Sequence, residues 1–250
     1  MSVARILIIA GSDSGGGAGI QADIKAVTML GGHAMTAITA ITAQNTLGVQ
    51  AVHAVPPEMV LAQIDSVVSD IGVDAVKIGM IGSAVTAHAV AERLARLGDI
   101  PIVFDPVMVA TSGSVLADEA TVAAFRRLMA LATVVTPNLP ELAALGGEAA
   151  VLAKARGVLV KGGHGEGDVL TDRLLTADGA PVEWQGARIE TRSTHGTGCT
   201  LASAIATGLG QGMSLPDSIA RAREYVRAAL LLAPGLGGGH GPMGVPRDVR

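Results

Sequence analysis

The chain has 250 residues, 49% of them hydrophobic and 16% charged, and its 18 Lys and Arg against 22 Asp and Glu leave a net charge of −4. With 2% aromatic residues it has neither the basic stripe nor the stacking platform of a nucleic-acid binder. Its one cysteine, Cys199, excludes an internal disulfide and a multi-cysteine zinc site and fits a reducing cytoplasm.

Length and apolar richness together predict one α/β domain over residues 1–250, with strands buried on both faces. An apolar run at residues 4–10 reads as a strand rather than a secretory signal, and it stops at Gly11. A Gly- and Ser-rich loop follows, then a helix over 20–30, strands over 35–42 and 49–55, a helix over 57–71 and a strand over 75–78. The uncharged stretch 26–57 is cut by Gly31-Gly32-His33, Gln44-Asn45-Thr46 and Pro56-Pro57, so no transmembrane helix is expected. Further strands are predicted over 100–104, 133–136, 157–161 and 169–174, with helices over 84–97, 118–131, 139–145, 198–209 and 216–232. This alternation implies right-handed crossovers and a mostly parallel central sheet with helices on both faces. A functional site is then expected just beyond the strand ends, at Gly11, Gln44, Gly79-Met80, Asp105, Asn138 and Lys161-Gly162-Gly163.

Gly17-Ala18-Gly19-Ile20-Gln21-Ala22 fits the dinucleotide pattern G-x-G-x-x-A, but no acidic residue occurs between Asp23 and Glu58 to hold the ribose hydroxyls, and no G-x-x-x-x-G-K-[ST] is present. The best phosphate cradle is Thr194-His195-Gly196-Thr197-Gly198-Cys199-Thr200. There glycines free the backbone to turn N–H groups toward an anion at a helix start, although a packed turn with a buried cysteine is the plainer alternative. Lys161 ends a strand ahead of two glycines and could meet a transferring phosphate, or simply cap an edge. Asp105, Asn138 and Glu141 offer hard oxygens suited to magnesium, while Asn138 and Glu141 also have the spacing of a helix capping box. Gln44 both donates and accepts, which suits a heterocycle edge as well as a buried turn. Asp13 and Asp23 have no assigned partner, and His33, His53 and His88 read as structural.

These segments together resemble the hydroxymethylpyrimidine/phosphomethylpyrimidine kinases, with the ribokinase-like fold. The matching blocks are residues 9–23, Ile38-Thr39-Ala40 with Ala43-Gln44-Asn45-Thr46, Lys77-Ile78-Gly79-Met80, Thr136-Pro137-Asn138-Leu139-Pro140-Glu141, Lys161-Gly162-Gly163-His164 and Thr194 through Cys199. The resemblance implies that ATP phosphorylates 4-amino-5-hydroxymethyl-2-methylpyrimidine and then its monophosphate in one site; vitamin B6 kinases, acting on a ring that also bears a hydroxymethyl group, are the alternative. It implies a pyrimidine pocket of Gln44, Gly11, Asp23, Met80 and Val107. It also implies an anion hole at Thr194, His195, Gly196, Thr197 and Gly198, with Lys161 neutralising phosphoryl charge and magnesium held by Asp105, Asn138 and Glu141. Cys199 takes the place of the usual aspartate base, its thiol expected to be acidified by the helix N-terminus and to take the hydroxyl proton, or else mainly to orient the hydroxyl. A homodimer is expected on the same ground. The segment between Glu141 and Lys161 is shorter than the family's, Pro106 follows Asp105, and the tail over 235–241 reads as flexible and near the nucleotide.

Overall fold

The computed structural model describes residues 3–110, 113–164, 167–177 and 179–247. The first half contains β1 (Arg5–Asp13), α1 (Gly19–Met29), β2 (His33–Asn45), β3 (Gly48–Ala54), α2 (Pro57–Asp70), β4 (Ala75–Ile78), α3 (Ala84–Leu94) and β5 (Ile102–Phe104). The second contains α4 (Glu119–Leu131), β6 (Val134–Val135), α5 (Leu139–Ala144), α6 (Glu148–Leu152), β7 (Gly157–Val160), β8 (Val169–Thr176), β9 (Val182–Ala187), α7 (Thr197–Gly210) and α8 (Leu215–Leu231). The strands form one nine-stranded sheet in the order β3-β2-β1-β4-β5-β6-β7-β8-β9. Strands β2, β1, β4, β5, β6 and β7 run parallel, while β3, β8 and β9 are added antiparallel at the two edges.

Alternation along β1 explains why two helical layers are needed. Leu7 and Ile9 point to one face, where they join Val76, Ile78 and Phe104 under Ile64 of α2, Val90 of α3 and Phe125 of α4. Ile6 and Ile8 point to the other, packing with Val103, Val134 and Leu159 against Val27 of α1, Ile205 of α7 and Ile219 of α8. Phe104 and Phe125 meet edge to face with centroids 5.1 Å apart, an arrangement that adds to their area burial. Ser83, Asp118, Asn138 and Ser214 cap α3, α4, α5 and α8 through their side chains, so these helices start where the sequence supplies an acceptor.

The departures from the sequence reading lie at element ends and edges. Strand β1 does not stop at Gly11: after a bulge between Ala10 and Ser12 it stays paired with β2 through Asp13, which carries Asp13 into the site. Strand β9 was not anticipated; Gly186 and its mostly exposed side chains hide the alternation of an edge strand. The shortened segment after α5 still holds a five-residue helix, α6, entered through Gly147. No helix among the described residues is long and apolar enough to cross a membrane.

Candidate active site

Parallel pairing puts the C-terminal ends of β1, β2, β4, β5, β6 and β7 along one rim, and the chain entering α7 closes it into a cavity of about 850 Å³. Gly11, Gln44, Met80, Val107, Asp105, Asn138, Glu141, Lys161 and Thr194 through Cys199 all line it, so the structure brings these candidate residues together. Asp23 is the exception and corrects the sequence reading. It is fully buried beneath the rim, where both carboxylate oxygens meet Lys77 Nζ at 2.9 and 2.7 Å and Oδ1 accepts from Ser203 Oγ at 2.7 Å. It lies on α1 among Ala22, Ala26 and Val27, on the face that packs inward rather than toward the cavity.

The start of α7 is shaped by two glycines. Gly196 has φ of 86°, and a Cβ there would sit 1.9 Å from Gly17 O, so only glycine lets the two loops touch. A Cβ on Gly198 would come within 3.3 Å of both Asp105 Oδ2 and Lys161 Nζ, so its absence lets the helix start rest against that ion pair. Thr197 N–H turns back to Thr194 O, while the Gly198 and Cys199 N–H groups of the first turn of α7, without intrahelical partners, stand at the cavity wall beside Lys161.

Lys161 Nζ lies 2.8 Å from Asp105 Oδ1 and 4.0 Å from Glu141 Oε2. Burial would lower the Lys161 pKa, but Asp105 and Glu141 hold it above its ordinary value. Burial, reinforced by Asp105 and opposed by Lys161, pushes the Glu141 carboxyl up to about 7. The capping box is fully formed: Asn138 Oδ1 accepts from Glu141 N and Asn138 N donates to Glu141 Oε2, both at 2.8 Å. Asn138 Oδ1 is therefore engaged at the helix cap, which leaves the Asp105 and Glu141 carboxylates as the oxygen donors facing Lys161. No group of three or more His, Cys, Asp or Glu side chains gathers in metal-binding proximity among the described residues.

At the other end, Gln44 Oε1 accepts from Thr42 Oγ1 at 3.1 Å, and its Nε2 lies 3.4 Å from His195 Nε2. His195, expected among the phosphate binders, lines the cavity with its ring paired to Asp13. Its Nε2 lies 2.8 Å from Asp13 Oδ2, and its backbone N–H donates to Gly241 O. Asp13 also accepts from the N–H groups of Gly15, Gly17 and Ala18, so one buried carboxylate ties the glycine loop after β1 to the loop entering α7. Burial pushes the Asp13 carboxyl up, yet the bonds from His195, Ala18 and Gly15 outweigh it and leave the group below the usual carboxylate range.

Two further expectations change. Cys199 is half-buried at the cavity wall. Burial pushes its thiol up to about 11, against the pull of Lys77, so the thiol is raised rather than acidified. The tail over 235–241 is pinned rather than loose: His240 N donates to Thr46 O, Gly241 N to Arg192 O, and Arg192 to Gly238 O. It lies against the turn after β2, with His240 at the cavity wall. Among residues the sequence reading left without a role, Asp13 and Lys77 were findable: an Asp two residues before Gly signals a local turn, and a lysine inside the apolar strand Ala75-Val76-Lys77-Ile78 needs a buried partner.

The family model for phosphomethylpyrimidine kinase matches residues 13–244. The chain is 50% identical over 253 residues to the hydroxymethylpyrimidine/phosphomethylpyrimidine kinase of Streptomyces coelicolor, covering 95% of this chain and 93% of that protein. It is 48% identical over 270 residues to the thiamine biosynthesis bifunctional protein of Geobacter sulfurreducens, covering 98% of this chain but about half, 53%, of that protein. Among solved structures, the ADP complex of Bacillus subtilis pyridoxal kinase superposes with a TM-score of 0.87 at 31% identity, covering 98% of both chains. Phosphomethylpyrimidine kinase of Clostridium difficile superposes with a TM-score of 0.79 at 35% identity, covering 90% of this chain and 99% of that one. With the matched segment spanning every element after β1 and every cavity residue named above except Gly11, the chain belongs to the phosphomethylpyrimidine kinase family.

Proposed function

We propose that this chain, as one catalytic domain, uses ATP to phosphorylate the hydroxymethyl group of 4-amino-5-hydroxymethyl-2-methylpyrimidine and then the resulting monophosphate, in thiamine biosynthesis. The observation that carries this reading is the meeting, in one cavity, of a glycine-shaped helix start, the lysine Lys161 and the amide Gln44 about the thiol of Cys199. The 50% identity to a relative of that name supports the acceptor.

In this reading Gln44, with Gly11, Met80 and Val107, receives the pyrimidine, its amide offering both a donor and an acceptor to the ring edge. The N–H groups of Gly196, Gly198 and Cys199 and the Lys161 ammonium hold the transferring phosphoryl group and offset the charge that spreads over its oxygens. Asp105 and Glu141 fit a magnesium ion that keeps several waters and takes one or two carboxylates, and Asn138 supports them from the cap. Such an ion would supply positive charge that offsets phosphate charge. Cys199 faces the acceptor hydroxyl and takes its proton as the thiolate; with the thiol pushed up to about 11, that form is a minority at neutral pH, so the rate rises with pH. His195 and Asp13 act by holding the walls rather than by touching phosphate.

The chain is further proposed to be a cytoplasmic homodimer, on the family resemblance and the single free thiol. The test of the function is ATP consumption against a panel of the pyrimidine, its monophosphate, pyridoxal and ribose. Turnover of the first two supports the reading. Preference for pyridoxal supports the vitamin B6 alternative, which the 31% identical pyridoxal kinase structure keeps in view.

A further inference from the structure

Lys77 and Asp23 form an ion pair with both side chains 0% exposed, a costly arrangement that the proposed chemistry does not use. Its location relates it to the thiol. On α1, Gly19 and Asp23 are one turn apart; on α7, Cys199 and Ser203 are one turn apart. The two helices are joined by two rungs: Gly19 N–H donates to Cys199 Sγ, and Ser203 Oγ donates to Asp23 Oδ1 at 2.7 Å. Lys77 rises from β4 into the same layer and grips both Asp23 oxygens, its Nζ held so close to Gly79 that a Cβ there would come within 2.8 Å. A fully buried ammonium and a fully buried carboxylate are thereby fixed one helical turn below the only cysteine of the chain.

We infer that Lys77 and Asp23 are positioning residues for Cys199: a buried charge pair, locked to α1 and α7, that sets the electric field at Sγ and holds the thiol toward the cavity. The inference rests on the reading of Cys199 as part of the active site. The signs of the two charges differ in their effect. Lys77 favours the thiolate and Asp23 opposes it, as does Asp105 from beyond β5, while Lys161 is paired with Asp105 on the far side of Gly198. Burial pushes the Asp23 carboxyl up against the pull of Lys77. The Lys77 ammonium, despite its own burial, is held above its ordinary value by Asp23, Cys199 and Asp105.

Iodoacetamide alkylation of the intact protein reads the thiol directly, because Cys199 has no competitor in the chain. Each unit of thiol pKa changes the thiolate population about tenfold and its nucleophilicity by about threefold in the opposite sense, a net of about threefold in rate. Lys77→Met is expected to slow alkylation by at least about threefold and Asp23→Asn to speed it by at least about threefold at pH 8. A purely architectural pair would give the same direction in both variants, since loosened packing exposes the thiol either way; that result, or no change in either, overturns the inference. If either single variant does not fold, Lys77→Met/Asp23→Leu removes both charges at similar volume. Because the Lys77 effect on the thiol exceeds that of Asp23, slower alkylation than wild type supports the inference and an equal or faster rate overturns it. The assay does not require kinase turnover. If Cys199→Ser retains full activity while the opposed alkylation rates persist, the charge pair governs the thiol and the catalytic role of the thiol is what fails.

Discussion

Replacing Lys161 by alanine removes the positive charge from a site that holds two carboxylates within 4.0 Å of it. The side chain is only 14% exposed, so the Asp105 partner would be left largely without compensation. Breaking a buried pair in this way costs about 3–5 kcal/mol, and the lower end applies here because Glu141, with its carboxyl already pushed up to about 7, can take a proton when the ammonium is gone. The catalytic loss is separate. A charged donor directed at developing phosphoryl charge is worth about 10²–10³ in kcat, so Lys161→Ala should turn over the pyrimidine that much more slowly. Transfer to the monophosphate should suffer at least as much, because an acceptor that already carries phosphate leaves more charge uncompensated. Urea unfolding gives the stability term, and ADP release measured with each acceptor well below the unfolding transition gives the kinetic one. A variant with kcat within about threefold of wild type on both acceptors would refute the role assigned to Lys161.

Cys199→Ala should lower kcat by about 10²–10⁴ with little change in pyrimidine affinity; wild-type turnover would leave the thiol as a packing residue. Because the acting form is the thiolate and burial pushes the thiol up to about 11, the deprotonated fraction grows about tenfold per pH unit below that value, so wild-type kcat should climb steeply between pH 7 and 9. A flat profile there would show that Cys199 only orients the hydroxyl. Gln44→Ala should weaken pyrimidine binding by about 1–3 kcal/mol while ATP binding survives, and unchanged pyrimidine affinity by calorimetry would mean the pocket is misplaced. Asn138→Ala removes the side-chain half of the capping box, leaving the backbone N–H bond to Glu141, and should lower unfolding stability by about 1 kcal/mol, checked by urea denaturation; no loss would contradict the structural part given to this side chain.

The parallel sheet and the position of the site were readable because each apolar run ends in a polar or glycine residue that the topology then carries to one rim. Gly11, Gln44, Met80, Asp105, Asn138 and Lys161 reach the cavity for that reason. What the sequence hid depends on pairings between distant segments. Asp23 and Lys77 are 54 residues apart, and only the packing of α1, β4 and α7 shows that they satisfy each other rather than a ligand. His195 has the right neighbours for a phosphate contact, yet Asp13, 182 residues away, claims its ring. The Cys199 thiol was misread because its place at a helix start was weighed without the desolvation that raises it. The glycine-rich tail looked loose because its composition says nothing of Thr46 and Arg192, the residues that pin it.

Phosphorus NMR of a reaction containing the pyrimidine and excess ATP follows both transfers at once. The account predicts that the monophosphate rises and then falls as the diphosphate forms, with two moles of ATP consumed per mole of pyrimidine. Accumulation of monophosphate alone with ATP remaining, or much faster consumption of pyridoxal than of the pyrimidine, would contradict it.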